Sequence, residues 1–123
     1  MADILIIEDD AAIRALVGVH LEKAGHRVTE AENGQVGVDM AQADVPDLIL
    51  LDINMPVMDG TRVMKALRSA DATRTVPVIA LSAVSMPEMR DDMHQLGCNA
   101  YVSKPIQFDL LMGHIDKLAG KHS

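Results

Sequence analysis

Leu48-Ile49-Leu50-Leu51-Asp52 is the stretch on which the fold turns. Four aliphatic residues in a row leave no polar face. They predict a strand buried on both sides, as strands are in a parallel sheet, and the run ends abruptly on a carboxylate. Ile4-Leu5-Ile6-Ile7 repeats the pattern and runs into Glu8, Asp9 and Asp10. Val76-Pro77-Val78-Ile79-Ala80-Leu81 repeats it again and is followed by Ser82. Two weaker strands fit the spacing, over 27–31 and 99–103, the second followed by Lys104.

Between the strands the apolar period changes to that of helices. Ile13, Leu16, Val17 and Leu21 recur at helical spacing, with Asp10 placed to cap the start and Gly25 the end. Asn33-Gly34 reads as a turn before a second helix over 35–42. A third spans 60–69 with Val63, Met64 and Leu67 inward, and its Arg62, Lys65 and Arg68 read as a solvated face. Met89, Met93 and Leu96 mark a fourth helix ending near Gly97, with Met86 ahead of it; Leu111, Ile115 and Leu118 mark a fifth. Five strand–helix pairs in this length predict an α/β fold: a doubly wound, five-stranded parallel sheet of order 2-1-3-4-5 flanked by five helices.

Length and composition agree. The 123 residues suit a single domain, with a core over about 3–119 and a loose tail at 120–123. Apolar residues make up 49% of the chain, Trp is absent, and Tyr and Phe occur once each, so the interior must be aliphatic. The net charge of −7 argues against nucleic-acid binding, which needs Lys and Arg on the phosphates. Cys98 is the only cysteine, so no internal disulfide can form; it reads as a small packed residue rather than a catalytic thiol. His20, His26, His94, His114 and His122 show no metal-ligand clustering. No apolar run approaches the ~20 residues of a membrane span, and Met1-Ala2-Asp3 lacks the basic start of a signal peptide. A cytoplasmic protein with no membrane contact is expected. Met1 just ahead of the first strand, and an end just after the last helix, point to a single-domain protein.

In sheets of this kind ligands gather at the carboxyl ends of the strands, beside the switch point between strands 1 and 3. Glu8, Asp9, Asp52, Ser82 and Lys104 are all predicted at that edge. Converging carboxylates repel one another unless a cation is present. Oxygen ligands favour Mg²⁺, with Mn²⁺ able to substitute, and no His or Cys lies near to suggest zinc. Asp52 could act as ligand and nucleophile together, giving an acyl phosphate. Lys104 would then pair with one phosphoryl oxygen and Ser82 donate to another. Each piece alone has a plainer reading: Glu8-Asp9-Asp10 as a helix N-terminus complementing the macrodipole, Ser82 as a turn residue, Lys104 as a solvated charge. Only the set points to this chemistry, because one fold brings all of these residues to one edge.

At this point the sequence resembles bacterial two-component response-regulator receiver domains, the CheY-like superfamily, over about residues 3 to 119. The resemblance is carried by residues 4–10, by 47–60, by Val78-Ile79-Ala80-Leu81-Ser82-Ala83, and by Tyr101-Val102-Ser103-Lys104-Pro105. Chemotaxis receivers are themselves a standing example of the strand order above, so topology and resemblance are not independent. The resemblance implies Asp52 as phosphoacceptor, Asp9 and Glu8 as metal ligands, and the backbone carbonyl of Asn54 as another. It implies Ser82 and Ala83 at the phosphate, Tyr101 as the switch aromatic, and Lys104 as the phosphate-pairing lysine. The Lys104–Pro105 peptide bond is implied to be cis. Glu8 in place of a frequent Asp, Ser82 in place of Thr and Ile106 in place of Phe are departures that remove no required group. Gly97-Cys98, Tyr101 and 103–106 are similar to DivK-type single-domain receivers.

The implied partners are a histidine kinase or histidine phosphotransfer protein upstream and a protein target downstream. Phosphorylation would draw in Ser82, turn Tyr101 and remodel the surface of helix 4, strand 5 and helix 5, as a monomer or a phosphorylation-dependent dimer. Such a chain is a signalling switch, not an enzyme. Three other readings compete. A Mg²⁺-dependent aspartate-nucleophile phosphatase would need a second acid at position 54, where Asn stands. A nucleotide- or flavin-binding module would need a glycine-rich loop after strand 1. A receiver cut from a larger kinase or regulator is the third.

Overall fold

The computed structural model describes residues 2–53, 59–82 and 87–119. Their elements alternate strictly: β1 (Asp3–Ile7), α1 (Ala11–Lys23), β2 (Arg27–Ala31), α2 (Gly34–Ala43), β3 (Leu48–Asp52), α3 (Gly60–Ser69), β4 (Val78–Ser82), α4 (Pro87–Gln95), β5 (Ala100–Ser103) and α5 (Phe108–Ala119). All pairings are parallel and the sheet order is β2-β1-β3-β4-β5. This is the doubly wound arrangement expected from the strand pattern.

Alternation along each strand divides the core into two layers. Leu5, Ile7, Ile49, Leu51, Val78 and Ala80 face Val38 and Ala41 of α2, Val63, Met64 and Leu67 of α3, and Met93 of α4. Ile4, Ile6, Leu48, Leu50, Ile79, Leu81 and Val102 face Val17 and Leu21 of α1 and Leu111 and Ile115 of α5. β1, β3 and β4 are thus apolar on both faces because both faces are covered. Each fully buried Leu or Ile contributes about 1.5–3 kcal/mol relative to exposure.

Local chemistry sets the boundaries. Asp10 caps α1, accepting from the N–H groups of Ala12 and Ile13, and the chain leaves that helix through Gly25 at a φ of +93°. Asn33, expected in a turn, is the N-cap of α2 and accepts from Val36 N–H. The fourth strand begins at Val78 rather than Val76. Pro77 has no N–H for a ladder, although its carbonyl still accepts from Ile49 at 2.9 Å.

Two expectations need correction. Leu16 does not point inward; it is 52% exposed. Val17 and Leu21 already fill the contact with the sheet, and Leu16 instead lines a groove of about 240 Å³ with Ile13, Pro105, Ile106 and Phe108. Arg68 is not part of a solvated face. Its guanidinium donates to the carbonyls of Thr73 at 3.0 Å and Gly97 at 2.8 Å and reaches Asn99 Oδ1 at 3.4 Å. Met86, the side chain of Met89 and the expected tail at 120–123 lie outside the described residues.

Candidate functional site: an acidic pocket at the carboxyl ends of the strands

Parallel strands deliver their last residues to one rim. Glu8 follows β1, Asp52 closes β3, Ser82 closes β4 and Lys104 follows β5. Carboxylate oxygens of Glu8, Asp9 and Asp52 lie within 4.8 Å of one another. Glu8 and Asp52 are buried, 1% and 2% exposed, while Asp9 is open to solvent. The Lys104 ammonium enters the same pocket, 3.1 Å from Glu8 Oε2 and 3.4 Å from Asp52 Oδ2.

Among the described residues the electrostatics are unbalanced, with three carboxylates facing one ammonium. Burial, reinforced by the neighbouring Asp52, pushes the Glu8 carboxyl up from 4.5 to about 7, and Lys104 and the Asp10 amide only partly oppose this. For Lys104, burial works against the charge, but Glu8 and Asp52 outweigh it and hold the ammonium above its ordinary value. Among the described residues the ligand candidates are all carboxylate oxygens, a donor set that suits a hard divalent cation. Ligand oxygens on opposite sides of an octahedral Mg²⁺ stand about 4 Å apart, so the three carboxylates fit one ion with small side-chain adjustments. Glu8, Asp9 and Asp52 are the residues that would hold it.

Ser82 is buried at the end of β4, beside the pocket, and its carbonyl accepts from Lys104 N–H at 2.6 Å. Hydroxyl-bearing and ammonium-bearing residues are therefore fixed to each other through their backbones. The Lys104–Pro105 peptide bond is cis. Tyr101 lies within β5, half-buried against the layer that includes α3 and α4, with the Arg90 guanidinium 5.1 Å from its ring centre. Those two residues help to line a surface cavity of about 290 Å³ with Met93, His94 and Cys98. Asn54 and Ala83 lie outside the described residues. Cys98 is buried and hydrogen-bonds through Sγ to the carbonyl of Ala100; burial pushes its thiol up, as suits a packed, unreactive cysteine.

Sequence reasoning missed the second layer of the site. Arg14, in the first turn of α1, donates to the Glu8 carbonyl at 2.8 Å and pairs with Glu30 of β2 at 3.0 Å. Its one sequence signal is that it follows the Asp10 cap by a helical turn, which turns it back toward the loop.

Comparison with known proteins gives the family. The chain matches the response regulator receiver domain family over residues 4–116. It is 38% identical over 103 residues to the polar-differentiation response regulator DivK of Brucella anthropi, covering 84% of each chain. The Vibrio cholerae chemotaxis protein CheY4 superposes with a TM-score of 0.90 at 30% identity, over 96% of this chain and 98% of that one. The receiver domain of a Pseudomonas aeruginosa sensor histidine kinase superposes with a TM-score of 0.89 at 31% identity, over 97% and 98%. That structure is described with a magnesium ion coordinated in its active-site cleft. Among the described residues no helix is long and apolar enough to cross a membrane.

Proposed function

The chain belongs to the response regulator receiver domain family, the phosphoacceptors of two-component signalling, and from that premise we propose that Asp52 accepts the phosphoryl group in a pocket completed by Mg²⁺ on Glu8, Asp9 and Asp52. The observation that carries this reading is the meeting of those three carboxylates with the Lys104 ammonium at the end of β3. In the family to which the chain belongs the donor is a phosphohistidine on a kinase or phosphotransfer protein. An Asp52 carboxylate oxygen attacks phosphorus, the N–P bond breaks as the O–P bond forms, and the released imidazole takes up a proton.

When bound, Mg²⁺ supplies positive charge to the oxygens of the transferring group. The chain's own residues do the rest. β3 presents Asp52 from a rigid, fully buried strand. Lys104 gives up part of its pairing with Glu8 and Asp52 to hold a phosphoryl oxygen. The Ser82 hydroxyl turns toward another, and the bond between the Ser82 carbonyl and Lys104 N–H keeps the two moving together. Tyr101, on the strand that Lys104 follows, reports this change to the face formed by α4, β5 and α5, where a protein target docks. The domain acts as a switch in which two packings exchange population.

The test is phosphorylation by a small-molecule phosphodonor with Mg²⁺, followed by intact-protein mass. The native chain is expected to gain one phosphoryl group and Asp52→Asn none. A phosphorylated Asp52→Asn protein would place the acceptor elsewhere.

A further inference from the structure

Glu8 is held at each of its polar atoms. Its N–H donates to Ala31 at the end of β2, and its side chain accepts from Asp10 N–H and from Lys104. Its carbonyl accepts from Arg14. That carbonyl belongs to the peptide joining Glu8 to Asp9, so its direction fixes the plane from which the exposed Asp9 carboxylate projects. Arg14 is itself braced: Nη1 takes the carbonyl, Nε takes Glu30 Oε1, and its side chain is only 18% exposed against 47% for Glu30. Glu30 sits opposite Ile6 in the sheet register, so the brace is anchored to the frame rather than to a loop.

Electrostatics alone would not put an arginine here. A cation in the first turn of a helix opposes the macrodipole, and a positive charge beside an acidic pocket competes with any metal it holds. Geometry supplies the reason. Resting on the metal-site reading above, we infer that Arg14, braced by Glu30, is a positioning residue that orients the Glu8–Asp9 peptide so that Asp9 meets the cation shared with Glu8 and Asp52.

The two roles predict opposite signs. Mg²⁺ affinity is measured on the full chain by calorimetric titration, with the amide resonances of Glu8, Asp9 and Asp10 followed in parallel. Arg14→Met is expected to weaken binding about tenfold, the usual cost of removing an outer support of a ligand, although it takes a positive charge away from the site. Arg14→Lys, which restores both the charge and one donor, is expected to recover part of the loss. Glu30→Gln, on the exposed edge strand, is expected to lose affinity to a smaller degree with the fold intact, and it carries the test if Arg14→Met does not fold. Equal or tighter binding by folded Arg14→Met, weaker binding by Arg14→Lys than by Arg14→Met, or unchanged affinity in Glu30→Gln overturns the proposal. A native chain that takes up no Mg²⁺ overturns the metal site and this inference together. Phosphorylation of Asp52→Asn overturns only the acceptor assignment.

Discussion

Lys104 Nζ donates to Glu8 Oε2 at 3.1 Å although 96 positions separate the two residues in the chain. The contact closes the sheet's rim from β1 to β5, and the same ammonium is shared with Asp52. One ammonium is shared between two buried carboxylates, and much of the chemistry of the pocket follows from that.

The first consequence is a pH dependence of stability in the metal-free protein. Glu8 has a folded-state value of about 7 against 4.5 unfolded. Between those values the native chain holds a proton that the unfolded chain has released, so unfolding becomes easier as pH rises. The stabilisation is complete below pH 4.5 and is lost as pH climbs through about 7. Urea midpoints in chelator should fall across this window for the native protein relative to Glu8→Gln, which cannot titrate. Parallel pH profiles for the two proteins would contradict the assignment.

Replacing the shared cation should separate metal affinity from phosphoryl transfer. Lys104→Met keeps length but removes the ammonium that Glu8 and Asp52 share, at a cost of about 3 kcal/mol in metal-free protein at neutral pH. Mg²⁺ then meets less competition, so its dissociation constant should drop and added Mg²⁺ should recover much of the lost stability. Phosphoryl acceptance should fall nevertheless. Denaturant titration with and without Mg²⁺ reads all of this except the transfer itself, which intact-protein mass reports.

Two glycines should respond in opposite directions to the same change. A Cβ at Gly37 would lie 2.5 Å from Ile7 Cδ1 and 2.6 Å from Ile7 Cγ1, in the packed layer beneath α2. Overpacking of about 1–3 kcal/mol exceeds the helix-propensity gain of roughly 1 kcal/mol, so Gly37→Ala should destabilise, and adding Ile7→Val should recover part of the loss. Gly113 lies on the exposed side of α5 with nothing within 4 Å of its Cβ position. Gly113→Ala should stabilise by about 0.5–1 kcal/mol. Chemical denaturation of the three variants checks the signs.

Arg68 should matter for stability alone. Arg68→Ala removes charge-assisted bonds to Thr73, Gly97 and Asn99, a loss of about 2 kcal/mol. Those partners flank the amino ends of β4 and β5, away from the acidic pocket. Urea midpoints should drop while the Mg²⁺ titration stays as in the native chain.

Much of this could be read from residue order. Strands 1, 3 and 4 announced themselves because Leu48 to Leu51 and Ile4 to Ile7 have no polar face, and solid burial of that kind belongs to parallel sheets. The convergence of Glu8, Asp52, Ser82 and Lys104 then followed from strand direction. Long charged side chains were illegible for a physical reason. Arg14 and Arg68 reach backbone carbonyls across the fold, and a guanidinium on a long stem carries no periodic signature of where it lands. Leu16 was misjudged because an apolar stripe on a helix can be wider than the surface that covers it. Val76 and Pro77 were apolar enough to pass for strand, although the ladder needs N–H groups as well as side chains.

The Arg68 clamp has one more consequence. A Cβ at Gly97, where φ is +99°, would come within 2.8 Å of Arg68 Nε, so the arginine and the glycine form a matched pair that can drift only together. Val78 N–H donates to Asn99 Oδ1 and Asn99 N–H to the Val78 carbonyl, which ties the starts of β4 and β5 to the same knot. The reactive rim and this anchor occupy opposite ends of the same strands, so a change of chemistry at the acidic pocket leaves the Arg68 knot standing.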